Sequence, residues 1–203
     1  MHKSACLLLV SSAILLLSIA SCSNDKPAEQ VAEVKPDNPA KADFGGFESQ
    51  VKWGEHLVTI GGCNDCHTPK KFGPQGMMPN DSLKLSGHVA GSPLPKIDRK
   101  MLQQNHLFAS NDMTVYLGPW GVSYAANLTP DSTGIGAWKE EQFITAIRKG
   151  ITKGLPGSRP MLPPMPWPGV AQMTDPELKA VFAYLKSIPP IKNTVPAPLP
   201  PAN

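Results

Sequence analysis

The sequence predicts a mostly helical domain folded around one large, covalently held group, with a long loop-rich insert after the attachment point. Three observations carry this expectation. Three segments place apolar residues at 3.6-residue spacing and carry helix start and stop signals. Aromatic residues are only 6% of the chain and prolines number 23, so a core of side chains alone would be thin and needs further apolar mass. Cys63 and Cys66 stand two residues apart with His67 directly after them, a pattern that ties a rigid group down at two points.

The N-terminal region reads as an export signal over residues 1–21. His2 and Lys3 make a short positive end, and Leu7 to Ile19 form an apolar run too short to span a membrane comfortably. Ile19-Ala20-Ser21-Cys22 resembles the bacterial lipobox, in which small residues precede a cysteine that takes lipid. Cys22 is therefore the expected lipidation site, and the expected location is the periplasmic side of a bacterial membrane. Cys6 leaves with the signal and Cys22 takes lipid, so Cys63 and Cys66 are the two that remain of four. Residues 22–43 lack any apolar period and read as a flexible tether.

The folded part is expected over residues 44–190, a length that suits one domain with a modest core. Phe47, Val51, Gly54, Leu57 and Val58 recur at helical spacing until Gly61-Gly62 break the pattern. A second helix is expected from Trp138 to Lys149, with Glu140 and Glu141 near its start, Arg148 and Lys149 near its end, and Gly150 as its stop. The last helix is the clearest. Thr174-Asp175-Pro176-Glu177 combines a capping box with a first-turn proline, and Leu178, Val181, Phe182 and Leu185 form one stripe. Pro189-Pro190 ends it, and residues 191–203 read as a proline-rich tail. Between Thr68 and Ala126 no period is sustained. A loop that long is uncommon in a compact domain, so short helices or a hairpin belong there, around Lys100 to Phe108.

Cys63-Asn64-Asp65-Cys66-His67 carries the chemistry. Two thiols on one helical turn can each add to a vinyl group of a haem, and the next residue then lies beneath the iron as an axial ligand. A zinc site would need two more ligands, and no second cysteine pair remains. A thioredoxin-like pair would need a preceding strand, whereas the residues before Cys63 have helical spacing. Composition alone also allows a local disulfide. For the sixth iron position a methionine is expected, because its soft thioether favours reduced iron. Met165, between Pro164 and Pro166, is the first candidate, since prolines stiffen the loop that would present it. Met161 is its nearest rival, then Met77, Met78, Met113 and Met173, with His88 or His106 as the histidine alternative and apolar gap-filling as the plain one.

These residues resemble a family. The Cys63–His67 motif, the Pro164-Met165-Pro166 loop and the Leu178–Leu185 helix are similar to those of class I c-type cytochromes. Leu85-Ser86-Gly87-His88, Tyr124 to Asp131, and Thr133-Gly134-Ile135-Gly136 with Trp138 resemble exported bacterial monohaem cytochromes and cytochrome subunits of periplasmic dehydrogenases. The resemblance implies a cytochrome c-like fold with a single haem c, whose first and last helices cross where Gly54 lets Phe182 or Tyr184 approach. It also implies an electron carrier rather than an enzyme, with redox proteins as donor and acceptor. The alternatives are a haem-bearing subunit of a dehydrogenase complex, or a haem site open at its sixth position. Asn127, Trp138 and Arg159 are then candidates to bind haem propionates, with ordinary packing as the alternative. Lys70, Lys71 and Lys153 would ring the exposed edge and steer an acidic partner. The formal charge of +3 is too small for a nucleic-acid surface.

Overall fold

Ser49 starts the first helix in the computed structural model of the chain, which describes residues 43–96 and 106–201. Its hydroxyl accepts the Lys52 amide at 3.2 Å, and helix α1 runs Gln50–Ile60 with Gly54, Leu57 and Val58 buried. The expected signal segment, Cys22 and the tether before Asp43 lie outside the described residues. Gly62 takes a left-handed conformation at φ +65° and turns the chain into a short helix α2, Cys63–His67.

Helix α3, Glu140–Lys149, starts two residues later than its periodicity suggested and stops at Gly150, which is left-handed at φ +60°. A short helix α4, Trp167–Val170, precedes the last helix, α5, Asp175–Ser187. Thr174 and Glu177 form the expected capping box, each side chain holding the other's backbone amide. Helices α1 and α5 cross at Gly54. A Cβ there would overlap the Ala180 carbonyl and come 2.8 Å from the Cβ of Tyr184, so glycine is what permits the contact. Tyr184 was one of the two expected neighbours; Ala180 stands where Phe182 was the other. Phe182 instead stacks on Phe143 of α3, ring centroids 5.3 Å apart, and so joins the third helix to the pair. Leu178, Leu185 and Val58 are almost wholly enclosed in this core, each contributing roughly 1.5–3 kcal/mol by burial.

The mostly helical expectation holds only in part, because 33% of the described residues are helical and 14% are strand. The strands lie in the insert. Strands β1, Lys70–Gly73, and β2, Gly76–Pro79, form an exposed antiparallel hairpin directly after the motif. A one-turn 3-10 helix, Asp81–Leu83, follows. Strands β3, Phe108–Ala109, β4, Val115–Gly118, and β5, Gly121–Tyr124, make an antiparallel sheet in chain order with its own small core of Val115, Leu117 and Val122. Strands of two to four residues are too short to display a period of two, which is why the sequence shows no pattern there. Of the segment Lys100 to Phe108, residues 100–105 lie outside the described residues, and Phe108 is in a strand.

The proline-rich segment after α5 is tied back onto the domain. The Ile191 amide donates to Thr129 Oγ1 at 3.1 Å, the Asn193 amide to Thr133 Oγ1 at 2.9 Å, and Leu199 exchanges both backbone hydrogen bonds with Val122. Contacts of the domain therefore continue past the expected limit at Pro190. No helix among the described residues is long and apolar enough to cross a membrane.

Candidate covalent cofactor site

Both motif cysteines are half-buried on the single turn of α2, with no disulfide joining them. Burial pushes the Cys63 thiol up to about 11, so it stays protonated at neutral pH. That is opposite to the depressed thiol of a Cys-x-x-Cys oxidoreductase, and a helix rather than a strand leads into the motif. Among the described residues no three His, Cys, Asp or Glu side chains gather to hold a metal by themselves. Among the described residues the zinc and thioredoxin alternatives find no supporting geometry.

His67 is buried, and its Nδ1 lies 2.7 Å from the Ala126 carbonyl oxygen. A carbonyl can only accept, so Nδ1 carries the hydrogen and the lone pair sits on Nε2. Burial lowers the His67 pKa most strongly, the Ala126 bond opposes that, and the Lys70 charge adds a further lowering, which leaves the ring neutral. This is the arrangement of a metal-ligating histidine whose other nitrogen is locked by a second partner. Two half-exposed sulfurs one turn apart, beside a buried imidazole with an open Nε2, fit the donor set of a covalently attached haem.

The surroundings of α2 are closely tied. Lys70 Nζ donates to the carbonyls of Asn64 at 3.0 Å and Asp65 at 2.8 Å and also to that of Thr68, covering the free carbonyls at the helix end. Lys70 is thus occupied as a cap, while Lys71 and Lys153 are exposed. The Thr68 hydroxyl donates to Asn64 Oδ1 and accepts the Leu85 amide, each at 2.9 Å. The Gly87 amide donates to the His67 carbonyl at 2.8 Å. Gly87 is left-handed at φ +75°, and a Cβ there would collide with the Ala125 and Ala126 backbone. Tyr116 Oη stands 2.9 Å from Cys66 Sγ and 2.7 Å from the Met113 carbonyl oxygen. The Ala126 carbonyl, Tyr116 and the capping role of Lys70 were not foreseen. Only the lysine, close to the motif in sequence, carried any local signal.

The methionines separate by environment. Met161 and Met173 pack against the main core, Met77 and Met78 are exposed on the β1–β2 hairpin, and Met113 occupies a left-handed turn at φ +58°. Met165 is half-buried and belongs to neither apolar cluster; its amide donates to the Leu162 carbonyl at 3.3 Å. Its loop is pinned where Ser123 Oγ donates to the Pro163 carbonyl at 2.6 Å. His88 Nδ1 lies 2.9 Å from Thr114 Oγ1, whose own hydrogen goes to Asp112 Oδ2, so the ring nitrogen is the donor, and His106 packs edge-on against Phe108.

The three propionate candidates also differ. Asn127 is buried, with Nδ2 donating to Thr133 Oγ1 at 3.2 Å and the Ile191 carbonyl at 2.9 Å while Oδ1 accepts the Thr129 amide and hydroxyl. Both amide hydrogens are engaged, and Asn127 acts as a clamp on the C-terminal segment. Trp138 is half-buried against the main core, and its indole N–H makes no hydrogen bond among the described residues. Arg159 is exposed, with Nη1 donating to the Pro160 carbonyl at 2.8 Å.

Helices crossing at a glycine, a Cys-x-x-Cys-His turn and a locked histidine define a haem-binding class of protein. The cytochrome c family matches residues 51–189, and the chain belongs to that family. It is similar to the gluconate 2-dehydrogenase cytochrome c subunit of Pantoea cypripedii, at 29% identity over 71% of this chain and 24% of the relative. It is also similar to the fructose dehydrogenase cytochrome subunit of Gluconobacter japonicus, at 25% identity over 74% of this chain and 23% of the relative. A shorter stretch, 32% of this chain and 14% of the relative, is 42% identical to the cytochrome c subunit of the quinone alcohol dehydrogenase of Gluconacetobacter polyoxogenes. The chain thus spans about a quarter or less of the length of these relatives.

Proposed function

We propose that the chain carries one haem c and passes single electrons between redox proteins outside the cytoplasm. The observation that carries the reading is His67, buried and held by the Ala126 carbonyl at 2.7 Å, next to two thiols on its own helical turn. Cys63 and Cys66 would hold the group through thioethers, with His67 Nε2 and the Met165 sulfur as the proposed iron ligands. Bound there, the haem supplies a one-electron iron couple. The protein's part is to keep both ligands in place in the two oxidation states, so that little reorganises when an electron passes. A thioether ligand in an apolar setting favours the reduced form, and the expected potential is positive. Asn127, Trp138 and Arg159 are the proposed propionate partners, since each can donate and lies in a loop or element that can border the pocket.

Cys22 is the proposed lipid anchor, with residues 22–43 as the tether to the membrane. The names of the relatives favour a dehydrogenase as the electron donor, either a transient one or one that keeps this chain as a subunit. Nothing in this reading makes the chain itself catalytic. Mass spectrometry of the exported protein is the test. The expected result is one added haem on the peptide spanning Cys63 to His67, absent in Cys63→Ser with Cys66→Ser, and a diacylglyceryl group on Cys22. Free or mutually bonded sulfurs at Cys63 and Cys66 in the exported protein would end the reading.

A further inference from the structure

Strand β4 sends alternate side chains to opposite faces of its sheet. Val115 and Leu117 go to the sheet's own core, so Tyr116 between them points the other way, where its hydroxyl meets Cys66 Sγ at 2.9 Å. Its partner directly across the ladder is Ser123 of β5, on the same face. Ser123 Oγ accepts the Trp120 indole N–H at 3.2 Å and donates to the Pro163 carbonyl at 2.6 Å, two residues before Met165. One cross-strand pair therefore touches the Cys66 sulfur and the loop that carries Met165. Tyr116 and Ser123 are both buried, and both hydroxyls have defined partners.

We propose that Tyr116 and Ser123 form a two-point clamp in which Tyr116 holds and polarises the sulfur at Cys66 while Ser123 holds the loop that presents Met165. The insert sheet thereby has a task in the site rather than beside it. This rests on the haem reading above and deepens it. The Tyr116 hydroxyl donates to Cys66 Sγ at 2.9 Å and to the Met113 carbonyl at 2.7 Å, one hydrogen shared between two acceptors. A thioether has no hydrogen. Oxygen and sulfur at that separation then still need the tyrosine hydrogen between them, so the donation to Cys66 persists after attachment. Donation to that sulfur draws electron density from the macrocycle edge and favours reduced iron. Both residues are positioning residues, acting through Cys66 and through the Pro163 backbone.

The test uses the haem-loaded mature protein and reads quantities that stability alone does not move. Tyr116→Phe keeps the ring and removes the hydroxyl; its equilibrium reduction potential is expected to fall below wild type. Ser123→Ala is expected to bind added imidazole at the ferric iron on the order of threefold to tenfold faster, as losing one neutral hydrogen bond implies. Ser187→Ala, whose hydroxyl donates within α5 to the Tyr184 carbonyl, serves as control and is expected to change neither. A folded Tyr116→Phe with the wild-type potential, or a folded Ser123→Ala with the wild-type imidazole rate, overturns the clamp. If either variant fails to load, the other decides alone. Should wild type itself carry no haem, it is the underlying reading that has failed, and the mass spectrum reports that separately.

Discussion

Nδ1 of His67 and the carbonyl oxygen of Ala126 lie 2.7 Å apart across 59 residues of chain. That bond fixes which ring nitrogen is free. It also makes the far end of the insert part of the site, because the backbone at Ala125 and Ala126 is held in place by Gly87 and His88.

Gly87→Ala tests this bond, since the acceptor is a backbone atom that no substitution can delete. The new Cβ would collide with the Ala125 and Ala126 backbone, and φ of +75° is itself unfavourable for alanine. A loss of at least about 1–3 kcal/mol is expected. Denaturant unfolding measures it, and the spectrum of any haem-loaded protein should show weakened histidine ligation. A variant as stable as wild type with an unaltered spectrum would mean that the contact at Gly87 does not matter.

Met165 and Met161 are separated by a paired experiment. Met165→Ala should lose the weak red absorption band of methionine-ligated ferric haem and shift to a lower potential, with a modest change in melting temperature. Met161→Ala should keep the band and lose roughly 1–3 kcal/mol, because its side chain packs against the main core. The reverse outcome would move the ligand to Met161.

The C-terminal segment should behave as part of the domain. Asn127→Ala removes the donors that hold the Ile191 carbonyl and Thr133 Oγ1, and a cost of about 1–3 kcal/mol follows from leaving buried partners unsatisfied. Ending the chain after Pro190 should cost at least as much, since Asn193 Nδ2 also donates to the Ser86 and His88 carbonyls at 2.8 and 2.7 Å. Amide exchange at Ile191 and Asn193 should be slow in wild type and fast in Asn127→Ala. Fast exchange in wild type would refute the clamp assigned to Asn127.

Acid sensitivity is expected from His88. Burial lowers its pKa from the ordinary 6.5, with Asp112 opposing more weakly. The folded state then resists protonation while the unfolded chain accepts it, so stability is full above 6.5 and declines as pH falls below that value. His88→Gln should flatten this part of a stability-versus-pH curve measured by chemical unfolding. An unchanged slope would assign the acid loss to another group.

Legibility in the sequence followed the range of the interactions. The capping box at Thr174 and Glu177 and the stop at Gly150 were readable because each depends on residues within a few positions, whereas the crossing at Gly54 was expected only from the family resemblance. The insert was not readable. Its strands are stabilised by partners such as Phe108 with Leu117 and Val122 with Leu199, and the latter pair is distant in sequence. The hydrogen bonds of the tail after Pro190 were not readable for the same reason. Its prolines announce only that it is not a helix, while its anchors at Thr129 and Thr133 lie some sixty residues upstream.

What the amino-acid order determined alone is the attachment chemistry. Two thiols and an imidazole at that spacing are brought together by one helical turn, whatever the rest of the chain does. What only the folded chain decided is how those groups are oriented. The acceptor for His67 is a backbone carbonyl and the neighbour of Cys66 is a tyrosine fifty residues on, and neither relation exists until the insert sheet closes over α2. Local geometry can name the ligands; long-range hydrogen bonds fix which atom of each one is free to bind.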